Sequence, residues 1–67
     1  MSVITVNGQP CKLLSDDSLE ALIIHLGLKD QLCAVEVNKV LVPHNKRNET
    51  TIKDGDTIEI VSLVGGG

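Results

Sequence analysis

The fold of this 67-residue chain is decided by one amphipathic stretch, DSLEALIIHLG at residues 17–27. Its large aliphatic residues recur at the spacing of a single helix face. They are Leu19, Leu22, Ile23 and Leu26. Gly27 follows them and can adopt the left-handed conformation that closes a last helical turn. The pattern predicts one helix, at residues 18–26, with one apolar stripe to bury.

Two sequences ahead of the stripe are candidates for capping the first helical turn. Asp17 with Glu20 three residues later resembles a capping box, and Ser15 with Ser18 offers a weaker one. Capping also accounts for the adjacent acids Asp16 and Asp17, which could otherwise suggest a catalytic carboxylate pair. We therefore expect Asp17 to cap the helix.

Short segments of alternating or apolar residues on either side of the helix predict strands. These segments are residues 3–7, 10–14, 33–38, 40–42 and 57–61. Their inward residues are expected to be Ile4, Val6, Cys11, Leu13, Val35, Val37, Ile58 and Ile60. Asn7-Gly8 and Asn38-Lys39 predict turns, as does Asp54-Gly55-Asp56. The polar stretch 44–50 predicts a surface loop with at most one helical turn.

The order strand, strand, helix, strand, strand, strand predicts a two-layer α+β domain. The first hairpin and the last strand must share one sheet if a single helix covers its inner face. We expect a β-grasp (ubiquitin-like) arrangement, a mixed sheet of four to five strands packed on one helix.

Composition excludes several classes of function. The chain has no aromatic residue and a net charge of −3, which disfavours nucleic-acid binding. Its longest mostly apolar stretch, residues 19–28, is too short for a membrane span, and no secretory signal is visible, so a cytoplasmic protein is expected. We expect Cys11 and Cys33 to be reduced thiols, with a disulfide or a sulfur-relay role as open alternatives. His25 and His44 have no metal-ligand spacing, so no metal site is expected. No Ser/His/Asp or Cys/His nucleophile set is evident either, so no enzyme activity is expected.

Three glycines, Gly65, Gly66 and Gly67, follow directly on the last strand. A solvated end without function is the plain alternative, because glycine-rich termini fray. A carrier needs such an end for chemical reasons. An ionised carboxylate resists nucleophiles until adenylation gives it a leaving group, and residues without a Cβ can enter a narrow channel. We expect a β-grasp domain at residues 1–64 and a flexible Gly tail at residues 65–67, with Gly67 as the modified residue.

The chain resembles the ThiS family of thiamine-pathway sulfur carriers along its whole length. The matching pieces are VITVNG at 3–8, the helix of Leu and Ile, AVEVN at 34–38, Val42-Pro43 with the basic loop after it, DGDTIEI at 54–60 and VGGG at 64–67. The DGDTIEI piece occurs in other β-grasp domains too, but its combination with a terminal VGGG in so short a chain is specific. His44 departs from the pattern, since the family commonly has Arg there; Lys46 or Arg47 could make that contact instead.

The resemblance implies a reaction and a set of partners. An E1-like adenylyltransferase would use ATP and Mg to activate Gly67, and a cysteine desulfurase relay would supply sulfur. The thiocarboxylate would then pass its sulfur to thiazole synthase, while the carrier itself binds no cofactor and is a monomer when free. The small subunit of molybdopterin synthase and a TGS-type binding module are the alternatives.

Apolar residues on the far side of the last strand suggest where such partners dock. Val61, Leu63 and Val64 lead directly to the glycines, so they are candidates for a docking surface. The alternative is that Val61 and Leu63 pack under loops.

Overall fold

The computed structural model describes residues 2–29 and 31–63 and contains five strands and one α-helix. The strands are β1 (Val3–Val6), β2 (Gln9–Lys12), β3 (Cys33–Val37), β4 (Val40–Val42) and β5 (Thr57–Ser62). The helix, α1, spans Leu19–His25, and a 3₁₀ helix spans His44–Glu49. The predicted order of strands and helix is confirmed. Strand β2 begins and ends earlier than predicted, and the 3₁₀ helix occupies most of the predicted loop.

The five strands form one sheet in the order β2-β1-β5-β3-β4. Strands β1 and β5 run parallel, with Val6 opposite Ile58, and the other pairs are antiparallel. Pro10 lies in β2 at the edge of the sheet, where a missing N–H donor is tolerated. The predicted β-grasp arrangement is confirmed, with β5 between the first hairpin and the second.

The core lies between α1 and the inner face of the sheet. Its buried apolar residues are Ile4, Leu19, Leu22, Ile23, Cys33, Val35, Ile52 and Ile58. Each fully buried large aliphatic side chain stabilises the fold by roughly 1.5–3 kcal/mol. One member of the predicted helix stripe differs. Leu26 is 36% exposed because the helix ends before it, and Leu28 packs against the core instead.

Ile52 lies outside every helix and strand, yet it is only 1% exposed. Backbone hydrogen bonds hold its segment against the start of α1. The Ile52 N–H donates to the Asp17 carbonyl at 2.7 Å, and the Leu19 N–H donates to the Thr50 carbonyl at 2.8 Å. The segment after the 3₁₀ helix thereby closes the end of the core that the sheet leaves open.

The cap of α1 is Ser18, so the prediction of an Asp17 capping box was wrong. The Ser18 hydroxyl accepts a hydrogen bond from the Ala21 N–H at 3.1 Å, and Asp16 Oδ1 accepts one from the Ser18 N–H at 3.2 Å. Asp17 is engaged through its backbone carbonyl by Ile52, which shifts the start of the helix to Leu19. Gly27 has a φ of +76°, as its predicted role requires.

Both hairpin turns are tied to β5 by asparagine side chains. Asn7 and Asn38 have positive φ, as does Lys39 at 70°. Asn7 Oδ1 accepts a hydrogen bond from the Ile60 N–H at 2.7 Å, and Asn38 Oδ1 accepts one from the Thr57 N–H at 2.9 Å. The two turns therefore support the strand that leads to the C-terminal residues.

The two cysteines are free thiols, Cys33 buried and Cys11 partly buried. They lie on β3 and β2, with β1 and β5 between those strands, so the alternative of a disulfide is wrong. Within residues 2–29 and 31–63, no helix has the length and apolarity needed to cross a membrane.

The Ser18 cap gives a direct test of where the helix begins. Ser18→Ala should lower the free energy of unfolding by about 1 kcal/mol, because the Ala21 N–H loses its acceptor. Asp17→Ala is the matched control and should cost less, since the contact with Ile52 uses the Asp17 backbone. Urea denaturation of both variants measures the difference. An Asp17→Ala loss equal to or larger than that of Ser18→Ala would contradict the assignment.

Asp56 makes the stability of the fold depend on pH. Hydrogen bonds from the Asn38 side chain at 2.9 Å and the Lys53 N–H at 2.8 Å lower the pKa of its carboxyl. A lowered folded-state pKa adds stability above the unfolded-state value, and that stability is lost as pH falls through the folded-state pKa. Asp56→Asn should be less stable than the native chain near neutral pH, and the difference should shrink as pH falls below the ordinary carboxyl pKa of 3.8 towards the lowered folded-state pKa.

Glu49→Gln is the control for this measurement, because it removes an exposed carboxylate whose contact with Lys46, at 4.0 Å, is a weak surface ion pair. Urea denaturation across the pH range compares the three proteins. A difference between the native chain and Asp56→Asn that stays constant down to the lowest pH would refute the role of the Asp56 carboxylate.

Candidate functional site

Leu63, the last residue that the structure describes, follows directly on β5. Ser62 lies opposite Cys33 at the start of β3, and the Leu63 N–H donates to the Leu32 carbonyl at 2.8 Å. The predicted functional residues Gly65, Gly66 and Gly67 lie outside the described residues, as does Val64. Their roles stay predictions, and so does the boundary between the domain and the Gly tail. The structure shows the end of β5 and its pairing with β3, from which these residues follow.

An exposed apolar patch surrounds the end of β5 on the face of the sheet that points away from α1. It consists of Leu32, Leu41, Val61 and Leu63, which are 66%, 60%, 60% and 52% exposed. The register places Val61 opposite Ala34 of β3, and it places Leu41 on the same face on the far side of β3, opposite Glu36. We call these four residues the apolar patch. Val61 and Leu63 therefore do not pack under loops, and they are accessible as a docking surface requires.

Sequence reasoning missed half of this patch. Leu41 was assigned to a strand without a face, and Leu32 precedes β3 by one residue. Alternation of residues along β4 could have placed Leu41 on the outer face, because its neighbour in sequence, Val42, faces inward. Leu32 gave no such signal, because only its hydrogen bond with Leu63 brings it to the patch.

Two acidic residues border the apolar patch on the same face. Glu36 of β3 and Glu59 of β5 are directly opposite each other. Like charges in that position destabilise a sheet. The outer face therefore combines an apolar region beside the end of β5 with a negatively charged border, and a surface with apolar and basic residues would complement it.

The basic loop after Pro43 has a different role from the one its sequence suggests. Arg47 is only 5% exposed, and its Nη2 donates to the Cys33 carbonyl at 2.7 Å. It is therefore not exposed as that contact requires, so of the two residues expected to replace an arginine at position 44, Lys46 and Arg47, only Lys46 stays a candidate. Lys46 is exposed, and its contact with Glu49 at 4.0 Å is a weak surface ion pair. Lys46 and His44 are the exposed basic groups of this loop.

A small cavity of about 150 Å³ lies between α1 and the 3₁₀ helix. It is lined by Glu20, Ile23, Ile24, Lys29, His44 and Arg47. His25 is exposed at the end of α1. No group of three or more His, Cys, Asp or Glu side chains in residues 2–29 and 31–63 has the arrangement of a metal site.

Comparison with known proteins gives a family match over almost the whole chain. The model of the ThiS family matches residues 4–67. The sulfur carrier protein ThiS of Bacillus subtilis (strain 168) is 32% identical over 66 residues, which cover 97% of this chain and 100% of that protein. The crystal structure of the thiamine biosynthesis protein ThiS from Geobacter metallireducens superposes with a TM-score of 0.80 at 29% identity, covering 97% of this chain and 99% of that one.

A longer relative carries the same unit within a larger chain. The thiazole synthase of Paramagnetospirillum magneticum (strain ATCC 700264 / AMB-1) is 34% identical over 64 residues, which are 96% of this chain. The match covers only 20% of that protein.

Proposed function

The chain belongs to the ThiS family, and on that premise we propose that it is a sulfur carrier for thiamine biosynthesis in which the C-terminal carboxylate of Gly67 holds the sulfur. The observation that carries the proposal is the extent of the family match, which runs through the three glycines to residue 67. The position of β5 supports it, because the strand pairs with β1 at its start and with β3 up to Ser62, close to the residues that precede those glycines.

The proposed chemistry takes place on the terminal carboxylate, so the chain is a cosubstrate and not a catalyst. One oxygen of the Gly67 carboxylate attacks the α-phosphorus of ATP, and pyrophosphate leaves. A sulfur nucleophile then attacks the acyl carbon and displaces AMP. Hydrosulfide leaves the thiocarboxylate directly, whereas a persulfide of the relay leaves an acyl disulfide, which a thiol then reduces to the thiocarboxylate while that thiol and the relay sulfur form a disulfide. Gly65 and Gly66 have no Cβ, so they allow this end to enter a narrow active site. ATP and Mg belong to the adenylating enzyme, and the carrier binds no cofactor of its own.

Three partners follow from this chemistry. An E1-like adenylyltransferase activates Gly67, a cysteine desulfurase relay supplies sulfur, and thiazole synthase accepts it. The thiazole synthase pairing is supported by the Paramagnetospirillum relative, in which the matching unit and the rest of a thiazole synthase are one chain. Cys11 and Cys33 are free thiols, which fits a carrier that works as a monomer in the reducing cytoplasm.

The apolar patch is the proposed docking surface for the adenylyltransferase. Val61 and Leu63 are exposed beside the end of β5, so a partner that covers them also receives the residues that follow. Val64, named with them from the sequence, continues this path outside the described residues. The negative charges of Glu36 and Glu59 call for basic residues on the partner at the border of the contact.

Sulfur transfer to Gly67 is the direct test of the proposed function. Incubation of the native chain with the adenylyltransferase, Mg-ATP and a sulfur source should replace one carboxylate oxygen by sulfur. Intact-protein mass spectrometry detects the change. A chain extended by one alanine after Gly67 is the matched control and should stay unmodified, because its terminal carboxylate is displaced from the reacting position. An unchanged native chain, or equal modification of both chains, would refute the proposal.

The docking surface makes a separate prediction. Val61→Asp and Leu63→Asp should each weaken binding to the adenylyltransferase by tenfold or more, because each places an unpaired charge in a desolvated apolar contact. Thr57→Asp is the matched control, since it adds the same charge to the same face of β5 far from Leu63. Calorimetric titration measures the affinities.

Thermal unfolding shows whether the three variants keep the fold, as their exposed positions predict. Native-like affinity of folded Val61→Asp and Leu63→Asp would exclude the apolar patch as the docking surface. An equal loss of affinity in Thr57→Asp would show that the whole face is sensitive to charge, which is also incompatible with a patch confined to the end of β5.

A further inference from the structure

Arg47 is an unusual member of the structure because it places a permanent charge in a buried position. Its side chain is 5% exposed, and Arg is almost never so buried without a partner. The guanidinium group stays protonated in proteins, so the residue cannot lose its charge to relieve the cost of burial. Among residues 2–29 and 31–63, no carboxylate forms a salt bridge with it. A specific contact must therefore account for its position.

That contact is with the first residue of β3. Arg47 Nη2 donates to the Cys33 carbonyl at 2.7 Å in a buried hydrogen bond. Its Nε has no hydrogen-bond partner in the described part of the chain. The guanidinium is thus committed to one carbonyl, and a hydrogen bond from a charged donor to a buried acceptor is stronger than one between neutral groups.

The register shows why the Cys33 carbonyl needs this donor. Pairing of β3 with β4 stops at Val35 opposite Val42, two residues short of Cys33. The chain then turns into the 3₁₀ helix at His44–Glu49, which carries Arg47 back to the start of β3. Arg47 therefore supplies the donor that a longer β4 would have supplied.

The other side of the same segment holds the end of β5. Cys33 lies opposite Ser62, and the Leu32 carbonyl accepts the hydrogen bond from the Leu63 N–H at 2.8 Å. Leu32 and Cys33 thus connect Arg47 on one side to Leu63 on the other. Any movement of Leu32 and Cys33 therefore changes the position of Leu63, which directly precedes residues 64–67.

We propose that Arg47 is a positioning residue for sulfur transfer. It fixes the Cys33 carbonyl, holds the Leu32–Leu63 hydrogen bond in place, and so fixes the point from which residues 64–67 reach a partner's active site. Its role in the reaction rests on the proposed function, whereas its hold on Leu63 is a property of the free protein. The competing interpretation is that Arg47 only fills space in a core without aromatic residues.

Hydrogen exchange of backbone amides followed by NMR separates these interpretations. Arg47→Met fills similar space without a donor, so the Leu63 amide should lose its protection and exchange at the rate of an unstructured chain. Arg47→Lys keeps one cationic donor and should restore part of the protection. Lys46→Met is the matched control from the same 3₁₀ helix and should leave Leu63 protected.

The internal reference is the pairing on the other side of β5. The amides of Thr5 and Asn7 donate to the Asp56 and Ile58 carbonyls, away from Arg47, and should keep their protection in every variant. Equal loss of protection at Thr5, Asn7 and Leu63 in Arg47→Met would reduce Arg47 to a structural residue and overturn the proposal. Should Arg47→Met fail to fold, Arg47→Ala replaces it in the test. Native-like protection of the Leu63 amide in Arg47→Ala would then overturn the proposal equally.

Kinetics of sulfur transfer supply the second readout. Strand ends open at little cost in free energy, so loss of the hydrogen bond should make the open end the major state. The KM for the carrier in the adenylation reaction should then rise several-fold in Arg47→Met while kcat stays native, because docking re-forms the pairing. A native KM with an exposed Leu63 amide would overturn the positioning role. No modification of the native chain at all would instead refute the proposed function and leave the exchange result standing.

Discussion

The structure depends on β5 being held from both sides at once. Its first residues pair in parallel with β1, and its remaining residues pair with β3 in the antiparallel direction. Ile58 lies where the two pairings overlap and is fully buried against the core. The strand that anchors the hydrophobic core is therefore also the strand that leads to the C-terminal residues. The stability of the fold and the proposed presentation of the C-terminal carboxylate thus depend on the same strand.

Much of the fold could be predicted because its signals are local. The i, i+3, i+4 pattern located α1, the alternation of apolar residues located the strands, and Asn7-Gly8 located the first turn. Ser18 and Ile52 were not predictable in the same way. Asp17 has the better capping sequence, but the distant Ile52 N–H engages its carbonyl, and Ile52 itself belongs to no periodic segment. Contacts between residues far apart in sequence decided both.

The residues of the candidate site were likewise predictable only where their sequence signal is local. Val61 and Leu63 were recognised because they alternate with the inward residues of β5, whereas Leu32 and Leu41 reach the patch only through pairing across strands. Arg47 is the largest departure from sequence reasoning. Its place in a run of polar residues predicted exposure, and nothing local indicates that β4 ends too early to satisfy Cys33.

The central claim is that the working group of this protein is its own terminal carboxylate. The most direct measurement is the intact mass of the chain purified from its native host under conditions that preserve thiocarboxylates. The account predicts a chain that ends at Gly67 and exists in two forms, which differ by the exchange of one oxygen for sulfur. A mature chain that continues past Gly67, or one that never carries sulfur while the host is making thiazole, would contradict it.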